Sequence, residues 1–279
     1  MHLQHRGVEQ LVARRAHNPE VGGSSPSSAT GEEKSQGFSL FLYLFLSSVS
    51  RMFKLFARHK KIIEYSESED SIVDDYIAKS FGEAENVFHE LVTIPGDIHI
   101  DILCIEPDAN HDYYTLVTMN AGAYKMKVPS SAQTGNQTPY MELVIRLPKD
   151  WDMHHWENND TDDETYYWPI RMLKTLARYP LYCKTYLGDG HTVDFGEPIF
   201  ESLPYRNVLI KETSTLNGEQ ASVEIGKNKK VVFYEVIPIF NEELDYKLQN
   251  GSKALLKLME DKGFPFPAII NPARVNYCE

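Results

Sequence analysis

Histidines and carboxylates that could share a ligand or a proton lie close together at three places in the chain. His99 and Asp101 alternate along a strand-forming run and so project from one face, with His111 and Asp112 in the loop that follows. Two imidazoles and two carboxylates could assemble a hydrolytic metal site. The tight HxH or HExxH spacing is missing, however, and His99 and Asp101 read more simply as the polar face of a half-buried strand among Ile98, Ile100, Ile102 and Leu103. In Gly188-Asp189-Gly190-His191-Thr192-Val193-Asp194 an imidazole stands between two carboxylates that could orient it as a base. No GxSxG elbow or cysteine-protease context supplies a nucleophile, so a glycine-rich turn with a hydrogen-bonded histidine is the competing account. The pair His154-His155 lies between Trp151 and Trp156, and adjacent histidines seldom face one ligand. Solvated loop positions suit them better.

A different chemistry is suggested by the stretch from Trp151 to Trp168. Asp152, Glu157, Asp160, Asp162, Asp163 and Glu164 are interleaved there with Trp151, Trp156, Tyr166, Tyr167 and Trp168. Aromatic rings supply contact area at low entropic cost, and charge of one sign steers an oppositely charged protein toward them. An ordinary solvated loop with its rings turned into the core accounts for the stretch equally well. Calcium binding fits less well, because the glycine and the twelfth-position glutamate of an EF-hand loop are missing.

These residues must be held by a scaffold of strands with a few helices. Ile72, Val73, Tyr76, Ile77 and Phe81 recur at helical spacing and predict a helix over Ser71 to Phe81, stopped at Gly82. Val87 to Ile94, Ile98 to Glu106 and Tyr114 to Met119 read as an antiparallel meander, and Met141 to Leu147 as a further strand. A helix follows over Trp168 to Arg178, with Pro169 at a tolerated early position and Pro180 as its end. Val208 to Lys211, Ala221 to Ile225 and Val231 to Ile239 are strands, the last almost wholly apolar and therefore central. Asn241 caps a turn beginning Glu242-Glu243, and Ser252 to Lys262 is a helix stopped by Gly263. Strand runs broken by a few helices predict an α+β fold, a mixed and mostly antiparallel sheet with flanking helices. No internal repeat, P-loop or GxGxxG occurs.

Among 279 residues, 28 are basic and 40 acidic, a formal charge of -12, which disfavours a surface that follows nucleic-acid phosphates. The three cysteines, Cys104, Cys183 and Cys278, form neither a CxxC pair nor a zinc set and read as reduced thiols of a cytoplasmic protein. Gly7 to Thr30 has no apolar period. It resembles translation through a transfer-RNA gene: Glu9 to Ala13 would be a D-arm, His17 a methionine anticodon and Gly23 to Pro26 a T-arm. Phe38 to Leu46 (FSLFLYLFL) is strongly apolar but far short of the roughly 20 residues that cross a bilayer, and no basic n-region or good cleavage site adjoins it. Residues 1–51 are therefore read as a disordered non-native extension and 52–279 as the domain, starting at Met52. Removing the extension takes away five basic and four acidic groups and leaves 23 against 36, or -13.

Several separated segments carry a resemblance. They are Ile98 to Ile102 (IHIDI), Thr115 to Asn120 (TLVTMN), Glu142 to Trp151 (ELVIRLPKDW), Trp168 to Pro180 (WPIRMLKTLARYP), Gly190 to Thr192 (GHT), and Glu235 to Leu256 with its EEL and LL elements. Together, from about Asp74 to Arg274, the chain resembles the suppressor-of-fused domain family in its bacterial form. The resemblance implies a single mixed α/β domain that binds proteins or peptides, with no catalysis and no cofactor. It implies contact roles for Tyr179 of the LARY stretch, for an acidic residue that Asp189 matches if one residue is skipped, and for His191. The second domain that animal relatives add to this groove is missing from the chain. Bacterial relatives include proteins thought to give immunity to polymorphic toxins, many of them nucleases. The expected partner is accordingly a basic toxin domain or peptide, with no nucleic-acid or membrane partner. The contact set is Trp151, Trp156, Asp160, Asp162, Asp163, Glu164, Tyr179, Asp189 and His191. Two other readings stay open: a metal-dependent hydrolase using His99, Asp101, His111 and His191, and an adaptor that binds a regulatory peptide.

Overall fold

The computed structural model describes residues 15–17, 60–109, 111–132, 138–155, 165–200 and 203–279. Its strands are β1 (Arg15–His17), β2 (Asn86–Phe88), β3 (Asp101–Ile105), β4 (Tyr113–Met119), β5 (Met141–Pro148), β6 (Thr192–Asp194), β7 (Asn207–Glu212), β8 (Ser222–Glu224) and β9 (Lys230–Ile239). The helices are α1 (Glu67–Phe81), α2 (Trp168–Cys183), α3 (Asn241–Asn250) and α4 (Ser252–Asp261). Among the described residues they form one sheet in the order β1-β6-β7-β9-β5-β4-β3-β2, with β8 paired to β9. Every pairing is antiparallel except β5 with β9, which is parallel and central. The expected α+β architecture is therefore present. No described helix is long and apolar enough to cross a membrane.

Strand alternation divides the core between the two faces. Ile102 and Cys104 of β3 and Leu143, Ile145 and Leu147 of β5 meet Trp168, Ile170, Leu173 and Leu176 of α2. On the other face Leu103, Ile105, Val117, Met119, Val144 and Phe233 receive Val73, Ile77 and Phe81 of α1. The second face also buries polar groups of β5. Arg146 is paired with Glu235 of β9 at 2.5 Å and donates to Thr213 Oγ1 at 3.1 Å. Glu142 accepts from Tyr65 Oη at 2.7 Å, Thr118 Oγ1 at 2.5 Å and Gly122 N–H at 2.9 Å. Gly122 must lack a Cβ, because one built there would overlap the Tyr65 hydroxyl.

Several boundaries differ from those the sequence predicts. α1 starts at Glu67, where Ser66 and Glu69 form a capping box that apolar spacing alone does not register. The strand predicted over Val87 to Ile94 stops at Phe88, because Glu90 turns in to satisfy β3: its N–H donates to Asp101 at 2.9 Å and its carboxylate accepts from Ile100 N–H at 3.1 Å. Ile98 to Ile100 leaves β3 and meets Ile63 instead, with bonds from His99 N–H to Ile63 O and from Ile63 N–H to Asp97 O. α2 nevertheless runs through Pro180 to Cys183, forgoing the bond the proline nitrogen cannot donate, and is closed by the Lys184 N–H on Pro180 O. The expected glycine-rich turn is present at Asp189-Gly190, and the three-residue strand β6 follows it directly.

Burial outweighs the hydrogen bonds from Thr118, Gly122, Tyr65 and the Ala121 backbone and pushes the Glu142 carboxyl up to about 7. Below pH 4.5 the group is protonated in both states. Between pH 4.5 and about 7 only the unfolded chain ionises, so stability falls by about 1.4 kcal/mol per pH unit, about 3 kcal/mol in all. Urea denaturation at pH 5 and pH 8 should reveal this loss as the difference between the wild type and Glu142→Gln. Equal pH dependence in the two proteins would contradict it.

Candidate binding surfaces

The turn that carries Asp189 and His191 joins α2 to β6. Gly190 adopts φ +74°, a left-handed conformation that glycine takes without strain, and its N–H donates to Ile210 O at 2.8 Å. The returning bond from Ile210 N–H to His191 O, also 2.8 Å, ties the turn to β7. Asp189 is exposed and its Oδ1 accepts from Glu212 N–H at 3.0 Å, while Asp194 Oδ1 accepts from Gly196 N–H at 2.6 Å. Both carboxylates thus serve the backbone, which corrects the expectation that they orient the imidazole. His191 is buried, edge-on to the Tyr186 ring at 4.8 Å. Burial first, and then the nearby Lys247 ammonium, push its pKa down to about 4. A neutral, enclosed imidazole can neither attract an anion nor reach substrate in solvent.

The expected four-residue His/Asp group is not brought together. His99 Nε2 lies 3.2 Å from Asp101 and is joined by His89 Nδ1 at 3.1 Å, whereas His111 is buried elsewhere, with Nε2 3.2 Å from Phe81 O and its ring stacked on Tyr113. Asp112 pairs with Lys149 at 2.8 Å. Backbone donation from Glu90, together with His89 and His99, holds the Asp101 carboxyl below its usual range against the upward effect of burial. Among the described residues no group of three His, Cys, Asp or Glu could hold a metal ion. His155 Nδ1 sits 3.2 Å from Asp152 with its ring on Tyr166, and His154 Nε2 lies 3.9 Å from Glu106.

The ring-studded loop is corrected in part. Trp151 and Trp168 are core residues in edge contact at 5.8 Å, and the Trp151 indole N–H donates to Tyr166 O at 3.2 Å. Both rings are turned into the core. Trp156, Asp160, Asp162, Asp163 and Glu164 lie outside the described residues. Tyr179 packs into the core with its hydroxyl at Cys183, and burial followed by that thiol raises its pKa to about 12. The exposed ring of α2 is Tyr182, 56% accessible, whose hydroxyl donates to Asp97 at 2.5 Å beside Arg178. Ending the helix at Pro180 hides Tyr182, although three further residues of helical phase would have found it. Of the expected contact residues that the structure describes, Asp189 alone is exposed.

At this end of the sheet β1 is outermost and pairs antiparallel with β6, with Arg15 opposite Asp194, Ala16 opposite Val193 and His17 opposite Thr192. An extended segment therefore fits along β6, beside the Asp189 turn.

The sheet is thus mixed, with helices on its two faces and β1 along one edge. The suppressor of fused protein (SUFU) family model matches residues 96–274, and the chain belongs to that family. An uncharacterized protein of Ureaplasma parvum serovar 3, UU111, is 26% identical over 201 residues, which span 71% of this chain and 91% of that protein. The structure of Sufu in the Sufu–Fu complex is similar with a TM-score of 0.54 at 12% identity, covering 75% of this chain and 92% of that one. A suppressor-of-fused homologue from Neisseria gonorrhoeae FA 1090 gives a TM-score of 0.49 at 14% identity, covering 76% and 98%.

In an NMR pH titration the His191 ring protons should move with a midpoint near pH 4. Because the folded value is depressed, protonation favours the unfolded chain as the pH falls from 6.5 through 4. A midpoint near 6.5 would place the ring in solvent and restore it as a contact residue.

Proposed function

We propose that this domain is a non-enzymatic binder that takes an extended segment of a partner protein along β6, and that the partner is a basic toxin domain which it neutralises in the cytoplasm. The observation that carries the reading is the antiparallel seating of Arg15–His17 on Thr192–Asp194. Strand addition draws its affinity from main-chain hydrogen bonds, so a segment of almost any sequence can use the edge, while nearby side chains select among partners. Exposed Asp189 beside that edge favours a cationic segment. Residues 1–51 are proposed to be a non-native extension, so that β1 stands in for the partner's strand.

The family is known for protein interaction, and the Sufu relative is recorded in a complex with Fu. The net charge of -12 supports a basic partner, since a nuclease is commonly positive where it grips phosphates and an acidic inhibitor is steered to that surface. The three cysteines are free thiols, in keeping with a reducing compartment. The acidic segment Asp160, Asp162, Asp163 and Glu164, with Trp156, is proposed to contribute steering.

Co-production with a candidate basic toxin domain tests the reading. Cells should be protected and the two chains should copurify. Asp160→Lys/Asp162→Lys/Asp163→Lys should slow association about tenfold at low salt, with the difference shrinking at high salt. Loss of protection by the wild-type chain, or an association rate indifferent to the charge reversal, would contradict the respective part.

A further inference from the structure

At the end of the sheet opposite β6, β2 pairs with β3 on one side, and no strand adds to its outer edge among the described residues. α1 covers Leu103 but leaves its partner in register, Val87, 40% exposed. A groove of about 340 Å³ opens there, with Ile77, Val87 and Leu103 among its apolar lining and Asp70, Asp74, Glu83 and Asp101 supplying carboxylates. None of the described lining residues is basic. The chain leaving β2 then exposes Leu91 at 94%, Val92 at 74% and Ile94 at 37%. Open edges with apolar side chains beside them invite another strand.

The charge decides what can occupy this edge. Asp101 is answered by His89 and His99, whereas Asp70, Asp74 and Glu83 have no ion pair among the described residues. Burial raises the Asp70 carboxyl, and repulsion from Asp74, Asp101 and Glu64 raises it further, as an uncompensated negative field would. A second copy of the chain brought edge to edge would set like charges against each other, which is destabilising across paired strands. We propose that the β2 edge and its groove dock an extended, lysine- or arginine-bearing segment of a partner protein. Its backbone pairs with β2, its apolar side chains cover Val87 and its cationic groups meet the three unanswered carboxylates. This surface is separate from the β6 edge, so the partner is held at both ends of the sheet or two partners are bound at once.

The test uses the full chain and a fluorescein-labelled hexapeptide alternating lysine and valine, followed by anisotropy at low salt and by amide exchange. The peptide should bind and slow exchange at Asn86–Phe88, and a glutamate–valine counterpart should not. Asp70→Asn/Asp74→Asn should weaken binding about tenfold, or about 1.4 kcal/mol. Glu83→Gln, outside α1, should act in the same direction, which guards against a purely helical effect of the first pair. Glu260→Gln, exposed on α4, should change nothing, and reading exchange separately at the two edges distinguishes failure here from failure of the β6 reading. Absence of binding, insensitivity to the Asp70, Asp74 and Glu83 changes, or protection appearing at Thr192–Asp194 instead would overturn the proposal.

Discussion

The buried pair of Arg146 and Glu235 constrains the rest of the fold. It joins β5 to β9, the parallel pair at the centre of the sheet, on a face otherwise made of Val144, Phe233 and the apolar side of α1. Removing one member of such a pair leaves an uncompensated charge and costs about 3–5 kcal/mol, so strand register and partner atoms must be right together. Glu235 also accepts from Ala268 N–H at 3.0 Å, and Arg146 O accepts from Ile270 N–H at 2.9 Å, drawing the C-terminal segment onto the sheet. Arg274 continues that anchoring. Its guanidinium forks onto Glu243 of α3 at 2.6 and 2.7 Å amid the rings of Tyr205, Phe240, Phe264 and Tyr277.

With polar groups committed to the centre, chemistry is displaced to the rim. The buried ionisable groups, Glu142, Arg146, His191, Glu235, Glu243 and Lys247, are enclosed by packing and bound to neighbouring atoms, where they specify structure. The sheet ends at β1, paired along β6 near the Asp189 turn, and at β2, beside its acidic groove. Main-chain groups at a strand edge are unspecific donors and acceptors, so charge and apolar side chains at their margins must supply selectivity.

The central architecture was legible because long strands carry a clear signal. The apolar run of Lys230–Ile239 marks a strand buried on both faces, and Met141–Pro148 and Tyr113–Met119 were recognisable from the same enrichment in β-branched residues. Three-residue strands such as Thr192–Asp194 have no period to detect, and Gly188-Asp189-Gly190 in front of it reads as a turn. The candidate site was less legible for a related reason. Trp151 and Tyr179 are aromatic whether they pack or bind, and the fold turns both inward. His89 reaches Asp101 because the chain leaves β2 at Phe88, six residues before the end that its β-propensity indicates. Asp189 was identifiable from its place in a glycine-flanked turn, where a side chain must face solvent.

Binding at the β6 edge, as proposed, is tested most directly by amide exchange at Thr192 and Asp194, whose N–H groups point away from β7, in the chain beginning at Met52, alone and with a candidate toxin domain. Strand addition gives these amides hydrogen-bond partners, so they should exchange rapidly in the free chain and at least about tenfold more slowly in the complex. A complex in which they exchange as fast as in the free protein would contradict the account.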